Sequence, residues 1–375
     1  MMRVQFIGKR RYTNRDALEE RYGRIYQLPL HWSRQGVQTH LWLIDYHGHR
    51  RARRDDGTLR VDSTPIRSWA LAFKALSTIG SGLRHRAPTH LVASGDAYIG
   101  LLGWLLARLT GACFIFDVYD KYDEFAGYRK PFGWDLFGFL LRRADQCWFA
   151  SRRLLAQLGD TARGDLLVMN GIDTDRFKPL DMHEARKRLG LPDTALLVGY
   201  FGGLNAERGV PDLIEAVQTL CTNGAVIELV LAGKVLETVQ LESPNVRYLG
   251  NLAHEEIPWA LSAVNVVAVP YRRSAFLDAA SSIKFGEIMA CSRPMVATRT
   301  PNLLDNFPEQ AARLDEYLVP PERPDALAHA IGRQLQDQKI EPPPGGMEWT
   351  AIASATLAAL GSGRGGSPCT ASGRR

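Results

Sequence analysis

Two serines, a lysine and a glutamate stand close together at the start of a helical pattern in the last third of this 375-residue chain. Ser281 and Ser282 are residue types that begin helices, and the pattern predicts a short helix over Ile283–Ala290. The first-turn N–H groups of a helix have no partners within it, so they and the helix dipole attract an anion such as a diphosphate. Lys284 would add a cation in the same turn, and Glu287, one turn further on, could accept hydrogen bonds from ribose hydroxyls. A capped surface helix with a solvated lysine and glutamate is the alternative.

A second segment with the residue types of a phosphate site follows a predicted strand, Ala195–Phe201. Gly202 and Gly203 come directly after this strand, and Arg208 stands just before the predicted helix Val210–Thr219. A strand, a glycine turn and a helix in this order allow backbone N–H groups to approach a phosphate closely. Because a guanidinium can donate two hydrogen bonds to one phosphate, Arg208 is a candidate for phosphate binding.

These side chains need a scaffold, and strand and helix patterns alternate along the chain with short connections. In the first part, the predicted strands are Val4–Gly8, Val37–Asp45, His90–Ser94, Ala112–Val118 and Gln146–Ala150, and the predicted helices are Ile25–Gln35, Ser68–Leu83, Ala97–Leu109 and Phe132–Arg143. Such alternation predicts βαβ units around a parallel sheet. Functional sites in these sheets lie beyond the carboxyl ends of the strands. The polar segment Tyr46–Arg60 is predicted to be a loop or a hairpin.

The same alternation resumes after residue 178, which predicts a second domain of the same kind. Its further predicted strands are Val226–Ala232, Asn245–Leu249, Val264–Pro270 and Met295–Ala297, and later helices are predicted at Pro324–Gln336 and Met347–Leu360. Lys234 stands at the carboxyl end of one of these strands and joins the candidate binding residues. We expect domains at 1–178 and 179–345, a helix at 346–360 that packs back on the first domain, and a disordered tail at 361–375.

The first predicted domain has candidates of its own. Arg10, Arg11, Tyr12 and Arg24 lie in a charged segment after the first predicted strand, where they could contact an anionic ligand such as a phosphate. A solvated loop is the alternative for that segment.

Tyr119 and Asp120 directly follow the predicted strand Ala112–Val118, at a carboxyl end where a site is expected. A structural loop carboxylate is the alternative for Asp120.

Charge is distributed unevenly along the chain. Residues 1–90 contain 17 lysines and arginines against 7 acidic residues, whereas the formal net charge of the whole chain is only +6. A basic surface would attract anionic lipid headgroups, an acidic acceptor or nucleic acid, and a solvated arginine-rich surface explains the charge as well. No recognised nucleic-acid motif accompanies it, which argues against nucleic acid as a partner. The segment Phe132–Arg143 is predicted to pack in the core, with a membrane-facing patch as the alternative.

Bulk properties exclude several classes of protein. The chain is long enough for two domains with sizeable cores, and 45% hydrophobic and 23% charged residues are ordinary for a soluble globular protein. No apolar run reaches the roughly 20 residues that cross a bilayer, and the first residues do not resemble a signal peptide. The five cysteines show no metal-ligand spacing, which fits a reducing cytoplasm. We expect a cytoplasmic protein, with peripheral contact to the inner face of an anionic membrane as an open alternative.

Taken together, the motifs resemble the donor-site signature of retaining family 4 (group 1) glycosyltransferases. The run Ser282–Glu287 is similar to the Ser-x-Lys-x-x-Glu variant of that signature, and Met289–Cys291 with Pro294–Ala297 are similar to its tail. The run Asn170–Phe177 is similar to the segment that joins the two domains in the family, where Asn-Gly forms a tight turn.

The chain departs from the family pattern at several positions. Ala279 stands where the first of two glutamates is expected, Gly203 replaces an arginine, and Tyr119 replaces a histidine that faces the sugar. Arg208 takes the place of a family lysine, and Asp120 matches the aspartate that follows the histidine.

The resemblance implies an α/β protein with the GT-B fold, in which two Rossmann-like parallel-sheet domains face each other across a cleft. It implies a retaining, metal-independent hexosyltransferase without a cofactor. Such an enzyme would move a sugar from a nucleotide-diphosphate donor to a polysaccharide, a lipid-linked acceptor or another glycan, as in cell-envelope biosynthesis. The alternatives are a catalytically weakened nucleotide-sugar-binding paralogue and another GT-B enzyme, such as a sugar-nucleotide epimerase or a phosphorylase.

The resemblance also assigns roles to the candidate residues. The backbone N–H groups of Ser282 and Ile283, with Arg208 and Lys284, would hold the diphosphate, and Glu287 would hold the ribose. Fixed donors of this kind stabilise charge on a departing diphosphate. The residues expected in catalysis are Asp120, Arg208 and Lys284; the other donor-side residues are Gly202, Gly203 and Lys234; and the acceptor-side residues are Arg10, Arg11, Tyr12 and Tyr119.

Overall fold

The computed structural model describes residues 2–12, 15–48, 50–67, 74–77, 87–124, 128, 130, 133–236 and 239–362. The chain forms two compact units, one made of Met1–Gly171 with Glu348–Arg375 and the other of Ile172–Met347. The second unit is therefore an insertion in the first. This division falls a few residues from the boundaries expected at 178 and 345. The predicted helix Ser68–Leu83 lies outside the described residues except for 74–77, and the predicted tail lies outside them from 363 onward.

The first unit is built on an eight-stranded sheet. Its strands, with a short separate pair formed by β2 and β3, are β1 (Arg3–Lys9), β2 (Arg11–Tyr12), β3 (Arg15–Asp16), β4 (Gln38–Asp45), β5 (Ala52–Asp56), β6 (Leu59–Pro65), β7 (His90–Ser94), β8 (Cys113–Val118), β9 (Gln146–Phe149) and β10 (Leu166–Leu167). The spatial order is β10-β9-β8-β7-β1-β4-β6-β5. All neighbours run parallel except β5 and β6, which form an antiparallel hairpin. The hairpin alternative for Tyr46–Arg60 therefore holds, and the hairpin extends to Pro65.

Helices and buried aromatic rings complete the first unit. Its helices are α1 (Ala17–Glu20), α2 (Gly23–Arg34), α3 (Ala97–Thr110), α4 (Leu136–Arg143), α5 (Arg152–Leu158) and, after the second unit, a helix at Trp349–Ser362, with a 3₁₀ turn at Tyr122–Glu124. Trp32 on α2 is fully buried and packs against Trp148 with ring centroids 5.9 Å apart. Its indole Nε1 donates to Oγ1 of Thr356 at 3.0 Å, which joins the helix Trp349–Ser362 to α2.

The second unit is built on a six-stranded sheet in which every neighbouring pair is parallel. Its strands are β11 (Leu196–Phe201), β12 (Ile227–Ala232), β13 (Val246–Tyr248), β14 (Val266–Val269), β15 (Met295–Thr298) and β16 (Leu318–Val319), in the spatial order β13-β12-β11-β14-β15-β16. Its helices are α6 (Met182–Leu189), α7 (Val210–Thr222), α8 (Ile257–Ala263), α9 (Ala275–Ala279), α10 (Ile283–Ala290), α11 (Pro301–Leu304), α12 (Pro308–Arg313) and α13 (Pro324–Asp337), with 3₁₀ turns at His254–Glu256 and Asp315–Tyr317; the helix Trp349–Ser362 of the first unit is α14. The predicted α/β class with parallel sheets is confirmed.

Local chemistry explains where three short helices of the second unit begin. At α9, the Ser274 side chain accepts a hydrogen bond from the Leu277 N–H at 3.1 Å and begins the helix. The helices α11 and α12, which the sequence patterns did not predict, both have proline in their first turn, where its missing N–H costs nothing.

Among the described residues, every helix is too short or too polar to cross a lipid bilayer.

Candidate nucleotide-sugar site

Two glycine turns lie side by side at the carboxyl edge of the second sheet. Phe201, the last residue of β11, is in register with Ala232, the last residue of β12. Gly202 and Gly233 follow, with φ of 154° and 138°, values that L side chains rarely adopt. A Cβ atom on Gly202 would lie 2.4 Å from Nζ of Lys284, so the absence of a side chain leaves room for that ammonium group.

The turn after β11 delivers Arg208 to the same edge. The backbone N–H of Arg208 donates to Oδ1 of the buried Asn205 at 3.0 Å, which fixes the turn. Gly209 has φ of 69°, and a Cβ atom there would lie 1.7 Å from the carbonyl oxygen of Pro270. The turn therefore packs tightly against the segment that follows β14. Gly203 accepts a hydrogen bond from the Tyr200 hydroxyl at 3.1 Å through its carbonyl oxygen.

Helix α10 begins at Ile283, as predicted, but its serine does not cap it. Ser282 occupies the N-cap position with an extended backbone, and its side chain makes no capping hydrogen bond. Its backbone N–H donates instead to Oδ1 of Asn302 at 2.9 Å. Asn302 is buried and also donates to the Leu277 carbonyl at 2.9 Å, so it holds the segment before the helix in place. Asn302 was not among the predicted site residues, because its hydrogen bond with Ser282 joins residues 20 positions apart along the chain.

Arg208 and Lys284 converge on one oxygen atom. Nη1 of Arg208 and Nζ of Lys284 each lie 3.1 Å from the hydroxyl oxygen of Tyr271, a fully buried residue just after β14. The cations also lie against the ring, with Cζ of Arg208 at 5.1 Å and Nζ of Lys284 at 5.7 Å from its centroid. The Ser282 hydroxyl lies 3.4 Å from the same oxygen. The structure thus brings together three predicted donor-side residues around one that the sequence reasoning missed.

The charges around Tyr271 alter its acidity. Burial by itself would raise the pKa of Tyr271, but the positive charges of Lys284 and Arg208 outweigh burial and lower this pKa to about 7. For Arg208, burial lowers the pKa, and interactions with Tyr271 and Tyr200 raise it above its ordinary value overall. Tyr271 directly follows the predicted strand Val264–Pro270, so the sequence places it at the carboxyl edge of the sheet, but the sequence does not reveal its two cationic neighbours.

Glu287 lies on α10 one turn after Lys284. Its side chain is buried, with a relative exposure of 6%. Glu287, Lys284 and Tyr200 line a cavity of about 20 Å³ that is otherwise mostly apolar. A space of this size holds one water molecule. The expected ribose contact of Glu287 stays a prediction.

Lys234 is placed differently from the two converging cations. It follows β12, and its carbonyl oxygen accepts a hydrogen bond from the Leu204 N–H at 2.9 Å. Its side chain is exposed. The backbone of Lys234 therefore supports the glycine turn, and donor binding by its ammonium group stays a prediction. Ile283 is the first residue of α10 and offers its N–H at the helix start.

In the first unit, Arg10 lies among carboxylates. Its side chain is 10% exposed and forms ion pairs with Asp16 at 3.0 Å, Glu19 at 3.3 Å and Asp45 at 3.3 Å. Arg11 has a side chain that is 49% exposed, with Nε 3.5 Å from Asp16. Of these two predicted acceptor-side arginines, Arg11 alone presents its guanidinium to solvent.

Tyr12 and Tyr119 belong to one aromatic cluster at the carboxyl edge of the first sheet. Their ring centroids are 5.6 Å apart, and Tyr119 packs against Tyr122 at 5.4 Å. The Tyr119 hydroxyl donates to the Gly95 carbonyl at 3.1 Å. Burial raises the pKa of both Tyr12 and Tyr119, so neither ionises near neutrality. Asp120 follows this cluster and is half-buried.

Arg24, expected in a phosphate-contacting loop, lies on α2 in the interior. It is 1% exposed and forms a two-pronged ion pair with Asp117, at 2.6 Å and 3.0 Å. It also donates to the Val168 carbonyl at 2.7 Å and to Oδ1 of Asn170 at 3.2 Å. This correction has a simple cause: the sequence does not reveal a pairing between residues 93 positions apart.

Comparison with known proteins matches part of the chain in sequence and nearly all of it in structure. The family model for "Glycosyl transferases group 1" matches residues 195–337. The chain is 30% identical over 179 residues to the alpha-D-kanosaminyltransferase of Streptomyces kanamyceticus, a stretch that is 44% of this chain and 44% of that protein. It is 30% identical over 185 residues to the lipopolysaccharide core biosynthesis mannosyltransferase LpsB of Rhizobium meliloti (strain 1021), covering 46% of this chain and 50% of that protein. The chain thus spans half or less of the length of these relatives.

A solved structure extends the likeness to the first unit. Anabaena HepE in complex with UDP and glucose superposes with a TM-score of 0.63 and 16% sequence identity, covering 96% of this chain and 100% of that chain. At this identity the likeness concerns the fold. Residues 195–337 are therefore similar in sequence to the group 1 glycosyl transferases, and the chain as a whole has the GT-B fold.

Proposed function

We propose that this chain transfers a hexose-type sugar from a nucleotide-diphosphate donor to a glycan or lipid-linked acceptor, with retention of the anomeric configuration. The observation that carries the proposal is the convergence of Arg208 and Lys284, both 3.1 Å from one oxygen, beside the start of α10. Two cations and a helix N-terminus at the carboxyl edge of a parallel sheet suit a diphosphate. The family match of residues 195–337 and the UDP bound by Anabaena HepE support the same donor class.

The donor-side groups would act by electrostatics. When the bond between the anomeric carbon and the diphosphate breaks, negative charge grows on the departing phosphate. Arg208, Lys284 and the N–H groups of Ser282 and Ile283 would stabilise that charge with donors that are already in place. The acceptor hydroxyl would form the new bond on the same face of the sugar and give its proton to the leaving phosphate. Glu287 would accept hydrogen bonds from the ribose.

No metal ion and no cofactor is part of this proposal. Arg208 and Lys284 would supply the charge that a divalent cation supplies at other diphosphate sites. Transfer should then persist at an undiminished rate in excess EDTA. A loss of transfer that Mg²⁺ or Mn²⁺ restores would contradict this part of the proposal.

The donor can be identified by a thermal-shift screen with UDP-, GDP-, ADP- and TDP-sugars. A ligand that binds only the folded protein raises the unfolding temperature. The donor that does so is then incubated with glycan and lipid-linked acceptors, and the anomeric configuration of the product is read by NMR. An inverted product contradicts the retaining mechanism, and turnover of the donor without any acceptor would point to an epimerase. Binding without any turnover would point to a weakened paralogue.

A surface of aromatic and basic side chains on α3, on α4 and in the segment just before α4 motivates a proposal about the acceptor. Trp134 is 45% exposed and packs against Phe139 with ring centroids 5.3 Å apart, and Trp104 packs edge-on against the same ring at 5.1 Å. Arg142 and Arg143 are exposed beside them, and Cζ of Arg143 lies 5.8 Å from the Phe139 centroid. Rings and arginines in this arrangement suit the headgroup region of an anionic membrane, where a lipid-linked acceptor would be found.

Vesicle sedimentation tests the membrane contact. The protein should sediment with phosphatidylglycerol vesicles more than with phosphatidylcholine vesicles. Replacing Trp134, Arg142 and Arg143 by serine should remove the difference. The matched control replaces Lys187 and Arg188, two exposed basic residues on α6, and should leave it unchanged. Equal sedimentation with both lipids would contradict the proposal.

A further inference from the structure

Tyr271 is a buried phenol whose oxygen faces donors. Two of its neighbours, Nη1 of Arg208 and Nζ of Lys284, belong to groups that can only donate hydrogen bonds. Two further neighbours, the hydroxyl of Ser282 at 3.4 Å and the hydroxyl of Tyr200, can donate or accept. An ordinary buried tyrosine donates its proton to a fixed acceptor, as Tyr317 does to Asp337 at 2.7 Å. Tyr271 is therefore used as an acceptor, in the way a carboxylate or a phosphate oxygen would be.

The hydroxyl oxygen of Tyr271 offsets the repulsion between the positive charges of Arg208 and Lys284. A guanidinium and an ammonium group held at one point repel each other, and the repulsion grows where protein displaces water. The Tyr271 oxygen, 3.1 Å from each cation, gives both of them a common partner and a fixed geometry. Its position is itself fixed, because the Tyr271 carbonyl accepts from Oγ1 of Thr298 at 2.6 Å and the ring packs edge-on against Phe285.

We propose that Tyr271 is a positioning residue for the donor: its oxygen holds Arg208 and Lys284 together before the donor binds, and the diphosphate of the donor then takes over those hydrogen bonds. This inference rests on the proposed function, since it assumes a diphosphate at this place.

The groups that face Tyr271 come from several elements. The turn before α7 contributes Arg208, whose own pKa Glu207 helps to raise, and α10 contributes Lys284, with Ser282 at its N-cap position. Strand β11 contributes the buried phenol Tyr200. Together the two cations bring the pKa of Tyr271 to about 7 despite burial. Before the donor binds, a pKa of about 7 therefore allows a phenolate between the two cations near neutrality.

Donor binding should then be linked to a proton. A diphosphate beside a phenolate places like charges together, so the bound form favours the protonated phenol and raises its pKa. Donor binding weakens as pH rises through the pKa of the free protein. With a pKa of about 7, the dissociation constant should rise roughly tenfold between about pH 6 and about pH 8. A nucleotide-sugar is the right probe, because both of its phosphates are esterified and neither titrates in this range.

The first experiment follows the phenolate of the free protein by its near-ultraviolet absorbance. Wild type should show one tyrosinate step centred near neutrality, and Tyr271→Phe should lack that step. Tyr317→Phe is the matched control: it removes another buried hydroxyl from the same unit and should retain the step, because burial and Asp337 raise the pKa of Tyr317 to about 12. Absence of the step in wild type, or its persistence in Tyr271→Phe, overturns the proposal.

The second experiment measures binding of UDP-glucose and GDP-mannose by calorimetry across the same pH range. Wild type and Tyr317→Phe should show the roughly tenfold weakening, and Tyr271→Phe should show little pH dependence. At about pH 6, Tyr271→Phe should also bind about two- to tenfold more weakly than wild type, because two side chains must be ordered on binding. Equal pH dependence in wild type and Tyr271→Phe overturns the positioning role and leaves the proposed function standing. A tyrosinate step without binding of either nucleotide-sugar would support the arrangement of Tyr271 and count against the proposed donor.

Discussion

Gly233 faces the carbonyl oxygen of Gly202 so closely that a Cβ atom at position 233 would lie 1.8 Å from it. The two glycines end neighbouring strands, and each has a backbone conformation that a side chain disfavours. The absence of a side chain on Gly202 leaves space at the sheet edge for Lys284, because a Cβ atom there would lie 2.4 Å from its Nζ.

Replacing Gly233 by alanine should therefore destabilise the protein by about 2–4 kcal/mol, through backbone strain and the clash with Gly202. The matched control is Gly224→Ala. Gly224 also has a positive φ, of 92°, but a Cβ there would meet nothing within 4 Å, so it should cost only about 1 kcal/mol. Urea denaturation of both variants measures the difference. An equal decrease in the free energy of unfolding in the two variants would show that the close approach of the glycine turns does not contribute to stability.

Removing either cation should impair transfer far more than it impairs folding. Arg208→Ala and Lys284→Ala should each lower kcat/KM for the donor by about 10²–10³, because each removes a charged donor from the developing negative charge. Lys187→Ala, which removes an exposed lysine of the same unit, is the control and should keep the wild-type rate. Steady-state kinetics with the donor found in the screen decide the matter. Wild-type rates in both Arg208→Ala and Lys284→Ala would rule out a catalytic role for this pair.

The role of Glu287 can be tested through the sugar of the nucleotide. If its carboxylate binds the ribose hydroxyls, Glu287→Ala should raise the donor KM by about tenfold to a hundredfold. Wild type should also discriminate against a donor with 2′-deoxyribose or 3′-deoxyribose, and Glu287→Ala should not. A variant that loses activity but keeps this discrimination would show that Glu287, which is buried on α10, acts on the structure of the site.

Tyr271 should also make stability depend on pH. Its pKa in the folded protein is about 7, below the ordinary value of 10.0, so its ionisation stabilises the fold above about pH 10 and that contribution is lost as pH falls through about 7. The free energy of unfolding of wild type, relative to Tyr271→Phe, should accordingly rise between about pH 7 and about pH 10. Chemical denaturation at several pH values measures it. A constant difference across this range would mean that Tyr271 stays protonated in the folded protein.

The buried ion pair of Arg24 and Asp117 should stabilise the fold and should have no effect on donor binding. Arg24→Met leaves the Asp117 carboxylate without its main partner and should cost about 3–5 kcal/mol. Arg188→Met, which breaks an exposed pair with Glu256, should change stability little. Both variants should keep the wild-type affinity for the donor when measured well below their unfolding temperatures. A donor affinity that falls with Arg24→Met alone would restore the phosphate-contacting role first expected for this arginine.

How far the sequence predicts this molecule depends on the range of the interactions involved. Helix α10 was predicted over Ile283–Ala290 and is found there, because its start, its apolar spacing and its end are determined by residues that are close together in the sequence. The strand patterns were similarly local, and strand ends were mostly correct to within a few residues. The motifs assigned Arg208 and Lys284 to one diphosphate site, and in the fold their side chains contact the same oxygen atom.

Side-chain partners at long range escaped prediction. Arg10 was expected near substrate, yet it contacts Asp45, and the two meet only because β4 lies beside β1. Tyr271 was passed over because a single tyrosine carries no periodic signal, and its chemistry arises from cations located 63 and 13 positions away. Such roles depend on which strand ends become neighbours, and that information is not contained in local spacing.

The insertion of one unit into the other bears on how the polypeptide is made. The helix Trp349–Ser362 joins α2 through the hydrogen bond between Trp32 and Thr356, two residues separated by 324 positions. During synthesis, the ribosome must release all of Ile172–Met347 before this closing helix exists. The second unit can therefore fold on its own during synthesis. The first unit cannot complete its aromatic core until the helix Trp349–Ser362 has been made. Ribosome-bound chains that end before residue 348 should accordingly resist protease in the second unit and be cut in the first unit.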